Sequence, residues 1–237
     1  MRPIYFLAVM SLLLAAAGAH AEQKKVGFSL VFNCGVASNP AYCLADAVEA
    51  GVEVVLLKRD HPEMCAARTT QTFTYEGAMQ GIESTRLSLP VGCIGPFSIA
   101  VLRSAPNQVQ IPKAKSVNEI AARTDTAARK IAEYPDAPDV YRLAPTPPRV
   151  TIVGDATLLL YNYVSDQNSG PGALAIRNGL FRLEGDCVRD HGFFFVREKL
   201  HLVYLWSGCN SGQNATVVYD LSSGSPVNVY ENGKFST

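Results

Sequence analysis

Asp186, Asp190, His191, Glu198 and His201 are the densest group of side chains in the sequence able to move a proton or hold a metal ion. Two carboxylates beside an imidazole could serve as an acid/base group, one protonating a leaving oxygen while the other activates water. Glu198 and His201 have a spacing that places two ligands on one helix face, but the flanking segments Phe193–Val196 and Leu200–Trp206 read as strands that turn near Glu198. In that register His191 faces Leu205 and His201 faces Phe195, which separates the imidazoles by about 13 Å along the sheet and prevents them from sharing one ion. Beyond His20 the remaining histidine is His61. His61-Pro62-Glu63 with Cys65 carries the His-x-Glu of a zinc site but lacks a Pro-Cys-x-x-Cys to complete it, so it reads as a polar loop. No metal site and no cofactor are expected. Gly-x-Ser-x-Gly, phosphate-binding, dinucleotide-binding and His-Glu-x-x-His motifs do not occur. Gly208-Cys209-Asn210-Ser211-Gly212 has its serine in the wrong slot for a nucleophile and reads as a tight turn.

Aromatic side chains are the candidates for recognition. Tyr161 and Tyr163, and Tyr204 and Trp206, alternate on expected strands, so each pair lies on one face. Such a face can stack on sugar rings, but in a small β-domain it more often fills the core.

The elements that must position these groups are mostly strands. Lys25 to Asn33 alternates around Val26, Phe28, Leu30 and Phe32, and Val52 to Leu57 is a short run, apolar apart from Glu53. Between them, Asn39 as N-cap, Pro40 at the first helical position and Gly51 as a stop predict a helix. Strands follow at Thr69–Tyr75, Ile82–Leu89 and Phe97–Leu102. Ser116-Val117-Asn118-Glu119 is a capping-box pattern that opens a second helix, carrying acid-before-base pairs at Glu119/Arg123 and Asp125/Arg129 and ending before Pro135. Pro135, Pro138, Pro145, Pro147 and Pro148 make a stiff connector. Beyond it everything reads as antiparallel β, with Asn178-Gly179 as a type I′ hairpin turn. The expected fold is therefore α+β with two helices: an N-terminal α+β domain over residues 22–134, a Pro-rich connector over 135–149 and an all-β C-terminal domain over 150–237.

Six cysteines allow fifteen pairings. Hairpin symmetry narrows them. Cys65 and Cys93 are equidistant from Met79 in the Gly77–Gly81 loop, and Cys187 and Cys209 are equidistant from Glu198, so each pair should meet at the open end of a hairpin. Cys34 and Cys43 remain as the third pair. No Cys-x-x-Cys is present, which favours structural disulfides over metal ligands or redox thiols.

Residues 1–21 have the form of a signal peptide: Arg2 supplies a positive start, Ile4 to Gly18 are apolar except for Ser11, and Ala19-His20-Ala21 is a cleavage pattern. Cleavage near Ala21/Glu22 would release a periplasmic or secreted protein with no stable membrane anchor. The chain carries 21 Lys+Arg against 21 Asp+Glu, with no long basic run, which argues against nucleic acid as a partner. These features point to an exported binding protein that recognises a protein or glycan of the cell envelope at a β surface. The alternatives are a hydrolase of cell-envelope polymer using Asp186, Asp190 and His191, and an inhibitor that inserts the Ser165–Gly172 loop into a target.

Overall fold

The computed structural model describes residues 27–36, 40–58, 64–76, 81–93, 95–117, 122–133, 142–165, 170–209 and 213–236. The first six strands are β1 (Gly27–Asn33), β2 (Tyr42–Leu44), β3 (Glu53–Lys58), β4 (Met64–Tyr75), β5 (Ile82–Ser88) and β6 (Phe97–Leu102). They close into an antiparallel barrel in the order β1-β2-β5-β4-β3-β6. Val54 and Leu56 of β3 point into the barrel core with Val31, Leu44, Phe97 and Ala100. Val55 and Leu57 point outward, yet they are as buried as their neighbours because a second unit covers them. A strand packed on both faces reads as a continuous apolar run, which explains the pattern of Val52 to Leu57.

The helix expected between Asn39 and Gly51 does not form. Asn39 lies outside the described residues; Tyr42–Leu44 is instead a strand between β1 and β5. Side chains occupy the backbone groups that a helix would pair internally. Thr85 Oγ1 accepts from the Val48 N–H at 2.8 Å and donates to the Asp46 carbonyl at 2.9 Å, while Thr72 Oγ1 donates to the Val48 carbonyl at 3.2 Å. The Cys34–Cys43 bridge holds the segment against the strand before it. The protein is therefore mostly β rather than α+β, with a single α-helix among the described residues.

From Val109 the elements are β7 (Val109–Gln110), β8 (Lys115–Val117), α1 (Ala122–Ala132), β9 (Arg149–Val153), β10 (Ala156–Leu160), β11 (Gly172–Ile176), β12 (Gly179–Arg182), β13 (Cys187–Val196), β14 (Lys199–Ser207), β15 (Gln213–Asp220) and β16 (Val227–Ser236). They form two five-stranded antiparallel sheets, β12-β11-β10-β9-β8 and β16-β15-β14-β13-β7. Leu158, Leu160, Leu174 and Ile176 of the first meet Phe193, Leu202, Tyr204 and Val217 of the second. The outer face of the second sheet, with Phe194, Val196 and Val218, packs on Phe28, Val55, Leu57, Ile99 and Val101 of the barrel. The outer face of the first carries Leu159, Tyr161 and Ala173 against Ala128 and Ala132 of α1. The molecule is thus layered as barrel, sheet, sheet and helix.

Strand pairing also relocates four local features. The connector over 135–149 is not where pairing changes partners: β7 pairs with β13 and β8 with β9, so residues 109–117 join the C-terminal strands, and the change falls between Leu102 and Val109. Ser116 and Val117, expected to cap a helix, pair with Thr151 and Val150, and α1 starts at Ala122; Asn118 and Glu119 lie outside the described residues. The β13–β14 turn contains two residues, Arg197 and Glu198, both at positive φ (48° and 69°), as a type I′ turn requires. A two-residue turn centres between residues, so the register differs by one from that expected: His191 faces Tyr204 and His201 faces Phe194. The β11–β12 turn likewise uses Arg177 and Asn178 rather than Asn178-Gly179. Arg177 takes φ 52° and is held by Asp155 at 3.0 Å.

The disulfides are Cys34–Cys43, Cys65–Cys93 and Cys187–Cys209, with Cα separations of 5.8, 5.9 and 5.5 Å. The last two are the pairs that hairpin symmetry selects, and the first is the pair it leaves over. Bulges between Thr69 and Thr72 and between Val188 and Asp190 shift both ladders, so in the second hairpin Cys187 stands opposite Ser207, two residues short of its partner. Three disulfides suit an oxidising, exported compartment.

Candidate functional site

Pro112 has no N–H with which to extend the ladder, and β7 ends after two residues. The chain from Ile111 to Ala114 then runs beside the second sheet without rejoining it. On the barrel side, pairing of β1 with β6 stops at Leu30 and Ile99. These two interruptions open a groove of about 1230 Å³ between barrel and sandwich. Gly192, Val203 and Leu205 line it from the sheet, Phe32 and Tyr42 from the barrel, and Ile111 and Pro112 from the connecting segment. Its charged lining residues are Lys58, Lys113 and Asp190, with His191 beside them.

The acid/base candidates are not brought together. Asp190 and His191 are consecutive in an extended strand, so their side chains leave opposite faces. His191 faces Tyr204 on the sandwich side, where its Nε2 lies 3.3 Å from Thr151 Oγ1 of the other sheet. Burial lowers its pKa and the nearby Arg149 lowers it further, against the pull of Asp190. Asp190 faces Leu205 and the groove, where it is the one carboxylate in the lining among the described residues. Asp186 precedes β13, and burial raises its pKa against the opposing effect of Arg182. His201 is a core residue. Its Nδ1–H donates to the Lys199 carbonyl at 2.9 Å, and its ring stacks on Phe194 with centroids 5.3 Å apart and meets Phe28 at the same distance. Glu198 sits in the exposed turn. Among the described residues no group of three His, Cys, Asp or Glu side chains could hold a metal ion; His61 and Glu63 lie outside them.

The aromatic candidates are also core. Tyr161 and Tyr163 are 1% exposed and Tyr204 is fully buried, so none can stack on a ligand. Tyr161 donates to Asp125 Oδ1 at 3.1 Å under the Arg129 guanidinium, and Tyr204 stacks on Tyr219 at 5.7 Å. Trp206 is half-buried against Gly185, where an added Cβ would come within 2.4 Å of the indole. The Ser165–Gly172 loop ends in buried Gly170–Gly172; residues 166–169 lie outside the described residues.

A different aromatic row leads into the groove. Phe73 and Tyr75 of β4 and Phe32 of β1 are half-buried, with ring centroids 6.4 Å apart for Phe73–Tyr75 and 5.0 Å for Tyr75–Phe32. Arg86 lies 5.5 Å over Phe73, and Phe32 also lines the groove. Alternation of Phe73 and Tyr75 with Thr72 and Thr74 was the sequence signal for this row.

No helix among the described residues is long and apolar enough to cross a membrane. No family model, curated protein or solved structure matches the chain.

Proposed function

We propose that this chain is a binding protein, exported to the periplasm or the extracellular space after cleavage near Ala21/Glu22, which recognises a protein or glycan of the cell envelope at the β surface around the groove. The observation that carries this reading is the groove itself. A cavity of about 1230 Å³ lies between two rigid β units, approached by half-buried aromatic rings and lined by polar groups of both signs. Pockets of this size, mostly apolar with a few polar groups, are the usual seats of specific ligands. The disulfides fix the strands that form its walls, which lowers the ordering cost of binding.

The test is retention of cell-envelope glycan or protein on the immobilised, disulfide-intact chain, compared with a Phe32→Ala/Tyr75→Ala variant of the same fold. Retention by the parent and loss by the variant is the expected result. Equal retention by both removes the aromatic row and the groove mouth from the site, and no retention by either defeats the reading.

A further inference from the structure

Beyond the Val188–Gly170 bridge, the groove contains a strand edge that is open among the described residues. Arg197 N–H donates to the Gln108 carbonyl at 2.9 Å, and Phe195 stands opposite Gln110 in the same β13–β7 ladder. Backbone groups alternate sides along an antiparallel strand, so Phe193 and His191 direct their N–H and C=O groups from this same edge. Continued ladder pairing would set Pro112 opposite Phe193 and Ala114 opposite His191. Pro112 lacks the donor, and no backbone hydrogen bond joins 111–114 to 190–194. The groove occupies the space between these two segments, since both line it. Gly192, between the two outward-facing residues, adds no side chain, and a Cβ there would meet only Val203 at 3.7 Å.

Four consecutive outward backbone groups, two donors and two acceptors, match another extended polypeptide; a sugar chain or an acyl chain has no such repeat. Lys113, exposed on the segment that faces the edge across the groove, brings a positive charge to the lining, which favours an occupant bearing carboxylates. Resting on the binding reading above, the geometry points to an extended, carboxylate-bearing polypeptide segment as the occupant of the groove, added as a strand to β13 at His191 and Phe193.

A phage-displayed library of random linear peptides, selected on the disulfide-intact full chain, supplies the probe. The expected result is selection of acidic linear peptides whose binding slows amide exchange at His191 and Phe193. Gly192→Leu should weaken the selected peptide by about tenfold or more by filling the groove floor. Lys113→Glu, at an exposed position, should weaken it several-fold and flatten its salt dependence; it keeps the test decisive should Gly192→Leu fail to fold. Absence of any selected peptide, or binding that leaves the exchange of these two amides unchanged, overturns the inference. Soluble cell-wall glycan fragments are titrated in parallel. If they perturb groove resonances while no peptide binds, strand addition fails and the binding reading stands; if neither binds, both fail.

Discussion

His201 shows how a titratable side chain becomes a structural one. Burial between Phe28 and Phe194 holds its pKa below the ordinary value, although the Lys199 carbonyl and Asp220 act in the opposite direction and the Lys199 ammonium adds to the lowering. An unfolded histidine takes its proton near pH 6.5, whereas the folded one takes it only at lower pH. The stability is therefore complete above about pH 6.5 and is lost as pH falls from there through the folded-state value. Buried His191 contributes with the same sign. The thermal midpoint should fall on acidification below about pH 6.5, and His201→Phe, which keeps the ring stack, should make that fall shallower; an unchanged slope would exclude His201 as a source. Cysteine pairing was legible at this scale because strand symmetry constrains distance directly. The roles of Tyr161, Tyr163 and Tyr204 were not, because alternation shows that side chains share a face and carries no information on whether that face meets water or another sheet.

At the level of elements, one side chain ties α1 to the segment that follows it. Arg129 donates to Asp125 at 3.0 Å, to the Ala144 carbonyl at 2.8 Å and to the Thr146 carbonyl at 2.5 Å, and lies over the Tyr161 ring. It thereby fastens the helix to the proline-rich segment that follows. Arg129→Ala should cost about 2 kcal/mol, read from the urea midpoint at unchanged m-value, with faster amide exchange in α1. The disulfides should rank by the loops they close. Cys65–Cys93 spans 28 residues and Cys34–Cys43 spans 9, so replacing the first pair by alanines should cost about 1 kcal/mol more than replacing the second; equal losses in denaturant melts would contradict the ranking. The Asp125/Arg129 pair could be read from spacing alone. The false helix at Asn39–Gly51 had sound local signals too, and lost to Thr72 and Thr85, whose hydroxyls reach Asp46 and Val48 from strands that are remote in sequence.

Across the whole molecule, barrel and sandwich are joined by apolar packing and by polar contacts made through Tyr230. Tyr230 of β16 accepts from the Leu30 N–H at 2.7 Å and donates to Asp46 Oδ2 at 3.0 Å, an oxygen that also accepts from Ser29 Oγ at 2.6 Å. Tyr230→Phe strands the Leu30 N–H and should cost about 1–3 kcal/mol. It should also separate the unfolding of the two units: fluorescence of the single tryptophan, Trp206, reports the sandwich, whereas far-UV circular dichroism reports both. Coincident curves in the parent and displaced curves in the variant are expected; curves that still coincide in the variant would show that apolar packing alone couples the units. This scale was the least legible in sequence. Prolines mark where the backbone stiffens, but β7 finds its partner in β13, far along the chain, and nothing local to Val109 or Gln110 names it.

The outward-facing residues of the barrel also set an order of events. Residues 27–102 precede β13–β16 in the chain, so a barrel that closes its own core before those strands dock leaves Phe28, Val55, Leu57, Ile99 and Val101 bare. A chain truncated before Cys187 would carry that sticky surface permanently. Docking of the second sheet is therefore also what keeps the first half from sticking to other chains.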